Sequence, residues 1–185
     1  MEQKYDFVEV TLEPNHYELV KEVYRLHKEQ KNKIFDLSCG INTDEDILEY
    51  IKNIIENNIL LIAIDKDNSK YAGCLTFDCI KVFNDDIINC GVHIVINKKY
   101  WGKESRHIIR DCYKFVKDNL KPIKRMECNV PSNNFGIIKL LKDVGFKIEG
   151  TCKNRLVFND KHGNPKLYDE LCYGNLNLER LLEDG

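Results

Sequence analysis

The stretch from Ile87 to Val130 limits the fold of this chain more than any other. It reads as a strand rich in Ile and Val (Ile87–Asn97), a loop, a helix (Ser105–Leu120) stopped by Pro122, and a short strand (Lys124–Val130). Ile108, Ile109, Cys112, Tyr113 and Val116 fall on one face of that helix, so the helix has a side to bury. Two strands joined by a helix that packs back on their own sheet run parallel, with a right-handed crossover.

The flanking segments read as antiparallel. Ile59–Ile64 and Tyr71–Ile80 are apolar runs separated by the polar turn Asp65–Lys70, a hairpin pattern. Asn84-Asp85-Asp86 turns the chain again into Ile87. Phe146–Phe158 and Lys166–Asn175 form a second, longer hairpin pattern. Tyr5–Leu12 reads as a first strand, and Pro14 opens a helical stretch. Thr43 caps a further helix whose first turn carries Asp44, Glu45 and Asp46 at the positive end of the dipole. Phe135–Val144 is a short helix closed by Gly145. The fold class is therefore α/β, with an α+β mixed sheet of about six to seven strands and about four helices. With 185 residues and no Pro-, Gly- or Ser-rich linker, residues 1–185 are expected to form a single domain.

Composition narrows the function. Lys and Arg total 28 against 30 Asp and Glu, and only 6 of the cations are Arg. Lys98, Lys99, Lys103, Arg106 and Arg110 would make a local basic patch, but the net charge of −2 argues against a nucleic-acid partner. No apolar run is long enough to span a membrane, and Met1–Val10 has no signal-peptide pattern. None of the eight cysteines forms a C-x-x-C pair, so most of them are expected to be core residues of a reduced, cytoplasmic protein. No metal site and no disulfide are expected.

Asn134–Gly150, NFGIIKLLKDVGFKIEG, carries a more specific signal: Asn134, a hydrophobic helix, Gly145-Phe146, then Glu149-Gly150. Asp169 and Tyr173 follow at the distal end, and IVINKKYWGK precedes the crossover helix. In this register the chain resembles the GNAT N-acetyltransferase superfamily, nearest to the ribosomal-protein N-terminal acetyltransferases. The resemblance implies a GNAT-like acyl-CoA N-acyltransferase fold with acetyl-CoA as co-substrate. It also implies a sheet split between Ile87–Asn97 and Lys124–Val130, and a bulge at Ile94–Asn97 that frees main-chain groups for the pantetheine arm.

The same resemblance places the coenzyme pyrophosphate at the start of the Ser105–Leu120 helix, where unpaired N–H groups converge. The family pattern there, Gln/Arg-x-x-Gly-x-Gly/Ala, falls on Trp101–Arg106 and is largely lost. Glu104 occupies a glycine slot and adds negative charge, whereas Lys103, Arg106, His107 and Arg110 add positive charge. The cofactor-binding set implied is Ile94, Val95, Ile96, Trp101, Gly102, Lys103, Ser105, Arg106 and Asn134. Helix capping by Asn134 and Gly145 and solvent exposure of the cations are the plain readings of the same residues.

An amine with a pKa near 10 must lose a proton before it attacks a thioester. Leu141 stands where the family often has its acid, a Tyr, and no carboxylate stands at the start of the Ile87–Asn97 strand. His93 and Glu127 are the candidate catalytic residues. His93 has a suitable intrinsic pKa, and Glu127 would have a raised one if it were buried. Asp169, Tyr168, Tyr173 and Cys128 are weaker candidates. The expected function is acetyl transfer from acetyl-CoA to a primary amine, on a small molecule or a protein N-terminus, by direct attack in a ternary complex. The alternative is a catalytically degenerate GNAT-like binding or structural module.

Overall fold

The computed structural model describes residues 3–84, 86–119 and 123–175. Pro122, Leu120 and Asp85, read above as a helix stop, a helix end and a turn residue, lie outside them. Seven strands form one sheet: β1 (Tyr5–Glu9), β2 (Ile59–Asp65), β3 (Lys70–Phe83), β4 (Asp86–Ile96), β5 (Met126–Pro131), β6 (Lys147–Asn159) and β7 (Pro165–Asn175). Four helices accompany them: α1 (Tyr17–Ile34), α2 (Asp44–Asn57), α3 (Lys103–Asn119) and α4 (Phe135–Asp143). The spatial order is β1-β2-β3-β4-β5-β7-β6. Every neighbouring pair is antiparallel except β4 and β5, which are joined through α3.

The helices divide between the two sheet faces. Ile108, Ile109, Cys112, Tyr113 and Val116 of α3, with Leu140 and Leu141 of α4, bury one face with Val92, Ile96, Met126 and Cys128. Ile47, Ile51 and Ile54 of α2 and Val23 and Leu26 of α1 bury the other, against Leu60, Ile62, Cys74 and Val95. α2 begins as its sequence indicates. Thr43 accepts from the Asp46 N–H at 3.1 Å, and Asp46 accepts from the Thr43 N–H at 2.7 Å, a reciprocal cap. α4 ends at Gly145, whose φ of +87° lies in the left-handed region that favours glycine.

Parallel pairing between β4 and β5 is short. It comprises Cys90 with Met126 and Gly91 with Glu127, plus a bridge from Ile87 to Ile123. Beyond Gly91 the two strands diverge toward their carboxyl ends, which gives the split the resemblance implied. The bulge is not at Ile94–Asn97: Gly91–Ile96 pairs with β3 in unbroken register. The irregularities fall instead between Asp78 and Lys81, where Cys79 has a φ of +48°, and opposite Lys81 and Val82. The extra residue of β4, Ile88, lies before its pairs with β5, so main-chain groups at the split are freed by divergence of β5.

Candidate active site

Both helices that follow the parallel strands start at the open end of the split. Six residues separate β4 from α3, and three separate β5 from α4. Crevices beyond the carboxyl ends of parallel strands, where the chain departs in opposite directions, are where open α/β sheets place ligands.

Alternation along β4 decides which of its groups face the split. The Cys90 N–H donates across the seam to the Arg125 carbonyl, and the Asn97 N–H donates the other way, to Ala72. Val92, Ile94 and Ile96 therefore turn their main-chain groups toward β5, while Val95 turns its own into the ladder with Cys74. Of the three strand residues expected to hold the coenzyme, Ile94 and Ile96 turn toward the split and Val95 does not. The Ile96 carbonyl already accepts from the Trp101 indole at 3.0 Å and from the Gln30 amide at 2.9 Å. Trp101 is thus folded back over the end of β4, with the Lys33 ammonium 4.6 Å from its ring centre.

The loop into α3 is built by Gly102, whose φ is +88°. Ser105 is buried and donates to the Gly102 carbonyl at 2.7 Å, so it braces the loop. No described side chain accepts from the N–H groups of Lys103, Glu104 or Ser105. At α4, by contrast, Asn134 accepts from the Ile137 N–H at 3.5 Å, so that end is capped. Asn134 performs here the capping role that was its plain reading.

Glu104 does not face the helix start. Its Oε2 accepts from the Tyr5 hydroxyl at 2.6 Å and from Lys4 Nζ at 2.8 Å. Two turns on, buried Asp111 accepts from the N–H groups of Lys4 and Tyr5 at 2.8 and 3.1 Å. Both acids lie on the face of α3 that anchors β1, and Lys4 holds the Glu104 carboxyl below its usual range. The repulsion expected from Glu104 is therefore largely neutralised. Lys103 and Arg106 are exposed, with the Arg106 Nε 3.9 Å from Asp143. Arg110 is paired with His107 at 2.8 Å.

On the α1 and α2 side of the sheet a polar strip crosses the seam. His93 Nε2 lies 2.9 Å from Asp78 Oδ2. The Asp78 carboxylate occupies the space over Gly91, and its pKa is lowered, chiefly by the bond to His93. With Nε2–H donated to Asp78, Nδ1 carries the free lone pair. Tyr50 of α2 borders this group: burial pushes its hydroxyl up to about 12, with the Asp78 charge adding to the effect.

Across the seam, Glu127 departs from the expected buried acid. Its side chain is 45% exposed and accepts from Arg125 Nε at 2.9 Å. Arg125 holds the carboxyl below its usual range, so Glu127 is a paired carboxylate and not a poised base. The guanidinium of Arg125 also binds Glu149, whose carboxylate lies over Gly174. Asp169 accepts from the Asn154 N–H at 3.0 Å and from Lys153 at 2.8 Å, which makes it a brace of the β6–β7 hairpin. Cys128 and Cys90, the thiols flanking the seam, are buried, and burial pushes each up to about 12. The Tyr173 hydroxyl, on β7 opposite Cys128, is buried and has no hydrogen-bond partner among the described residues.

Asp78, Arg125 and Tyr50 join this site without belonging to any motif in the sequence. Asp78 carried one signal: it is an acid that ends the apolar run Ala72–Phe77. Pairing it with His93 required the β3–β4 register.

No protein-family model and no curated protein sequence matches this chain. Solved structures do. Spermidine N-acetyltransferase from Vibrio cholerae, in complex with CoA and spermine, superimposes with a TM-score of 0.70 at 16% identity, over 98% of this chain and 99% of that one. Ribosomal-protein-S5-alanine acetyltransferase from Vibrio fischeri gives 0.65 at 16% identity, over 96% and 95% of the two chains. A GNAT-family acetyltransferase from Bacillus anthracis gives 0.64 at 18% identity, over 95% of each. The fold is that of the GNAT acyltransferases.

Proposed function

We propose that residues 1–185 form one cytoplasmic domain that transfers an acetyl group from acetyl-CoA to a primary amine. The observation that carries this reading is the junction of the diverging β4–β5 seam with the uncapped start of α3. Main-chain groups of Ile94 face the seam, and the free N–H groups of Lys103, Glu104 and Ser105 suit a pyrophosphate. Arg106 and Lys103 add side-chain cations in place of the missing glycines. Acetyl-CoA supplies an activated acetyl thioester when bound.

The remaining roles fall to residues of the chain. Asp78 fixes the His93 ring, and His93 Nδ1 accepts the proton of the attacking amine. Carboxylates of Asp78, Glu127 and Glu149 border the same strip and favour an acceptor that arrives as a cation. Tyr173, kept protonated by burial, is the donor for the departing sulfur. Cys90 and Cys128 stay protonated near pH 7, which favours direct attack in a ternary complex over a cysteine-bound acyl group.

Calorimetric titration with acetyl-CoA, followed by mass spectrometry of amine products, tests the reading. Saturable binding with acetylated amine supports it. Absence of binding at millimolar acetyl-CoA rejects it in favour of a non-catalytic module on this fold.

A further inference from the structure

The strip on the α1 and α2 side continues along the β6–β7 hairpin into chemistry that acetyl transfer does not use. Cys152 of β6 stands opposite Glu170 of β7, and Cys172 stands opposite Gly150. The two Sγ atoms and one carboxylate oxygen of Glu170 all lie within 4.8 Å of one another. This is the one such group of possible metal ligands among the described residues. Cys172 and Glu170 project to the face opposite buried Tyr173, and Cys152 reaches solvent, so an ion has a path in.

Two chemistries compete for a pair of neighbouring thiols. Cys152 and Cys172 are diagonal partners across the strands, not direct ones. Diagonal positions are roughly 7–8 Å apart at Cα, whereas disulfides need about 4.4–6.8 Å. A bridging ion relaxes that demand. Zinc bonds of about 2.3 Å to sulfur and 2.0–2.2 Å to oxygen place tetrahedral ligand atoms roughly 3.5–3.8 Å from each other. Side-chain rotation alone reaches that spacing from the arrangement present. Arg155 Nε lies 3.9 Å from Glu170 Oε2. Two thiolates, one carboxylate and a divalent cation leave one negative charge, which this guanidinium offsets.

We propose that Cys152, Cys172 and Glu170 form a binding site for zinc or a similar borderline-soft divalent cation. Three protein ligands leave the fourth tetrahedral position to solvent, the pattern of an open zinc site. Binding releases the thiol protons and ties β6 to β7 beside the acceptor strip. The spacing in sequence hides the site, because the cysteines are twenty residues apart and only hairpin register joins them.

Cobalt(II), a spectroscopic substitute for zinc, tests this on the full-length protein reduced with a phosphine and freed of metal. The expected result is one equivalent bound, with a thiolate-to-cobalt charge-transfer band that zinc abolishes. The band is lost in the Cys152→Ser/Cys172→Ser variant and kept in Cys39→Ser/Cys79→Ser, which removes two other exposed thiols. Glu170→Gln weakens cobalt binding at least about tenfold, the lower bound seen for loss of outer-shell partners. Should the double variant fail to fold by circular dichroism, Cys152→Ser alone, at an exposed site, must reduce the band per bound ion. A wild-type protein with no band at one equivalent, or a band that survives in folded Cys152→Ser/Cys172→Ser, overturns the proposal.

Discussion

A methyl group on Gly91 would stand 2.0 Å from Asp78 Oδ1. The carboxylate of β3 fills the space left by the missing side chain on β4, and from there it reaches His93 at 2.9 Å. The glycine matters here through this close approach, not through its backbone angles.

Gly91→Ala is expected to push Asp78 aside and release His93. Acetyl transfer should fall by about tenfold to a hundredfold, less than the roughly hundredfold or more that loss of the whole base would cost. His93→Gln should cost at least about a hundredfold by the same reasoning. Steady-state rates across pH check both. Acetyl-CoA affinity should change little, because Gly91 turns its main chain toward β3. Full activity in either variant would remove His93 from the reaction.

Glu104→Gly restores a residue type common in this fold, yet it is expected to destabilise the protein and leave coenzyme binding no tighter. The buried Tyr5 hydroxyl loses its acceptor, at a cost of about 1–3 kcal/mol, and glycine weakens the helix by about 1 kcal/mol. The half-exposed Lys4 contact adds little. A urea midpoint that shifts at constant slope is the expected reading.

Arg106→Ala is expected to weaken acetyl-CoA binding about tenfold to a hundredfold, the equivalent of one charge-assisted contact of about 1.5–3 kcal/mol. Its pair with Asp143 is long, so the guanidinium is free to turn toward an anion. Calorimetry at two salt concentrations separates this from a folding defect. The variant should also show a shallower salt dependence.

His27 is buried between Phe35 and Tyr50, and burial lowers its pKa from the model-compound value of 6.5. The neutral ring is therefore favoured in the folded protein. The unfolded chain takes up a proton as pH falls through 6.5, and the folded one does so only at lower pH. Stability from this group is full above that window and is lost on acidification below it. Urea midpoints measured between pH 7.5 and 5.5 should decline, and His27→Gln should flatten that part of the curve.

Local patterns in the chain carried the elements well. The apolar run at Ile59, the cap at Thr43 and the glycine at Gly145 each act within a few residues, so their signals are complete in sequence. Parallel pairing of β4 and β5 was legible too, since a helix crossover leaves two strands parallel and their following helices at one end; the split itself came from the family resemblance. What sequence did not reveal depends on register. Val95 and Ile94 are adjacent in the chain, yet one points its main chain into the ladder and the other into the seam. Glu127 looked isolated between Met126 and Cys128, but Arg125, just before β5, reaches it from two residues away and sets its charge. Glu104 looked like a flaw in an anion site until Tyr5 of β1 and Lys4 just before it supplied its partners from 99 and 100 residues away.

Two residue pairs join β4 to β5, while β3–β4 and β6–β7 are each paired at nine positions. The sheet is therefore two well-knit panels sewn along a short stitch, with α3 beneath both. Cooperativity should be uneven across such a join: each panel can loosen as its own unit before the whole chain unfolds. Hydrogen exchange would then sort the amides into two protection classes that follow the panels and not the order of the chain. The amide of Cys90, bonded across the stitch to Arg125, reports when the panels part. A ligand bridging both panels would slow its exchange more than that of amides deep within either one.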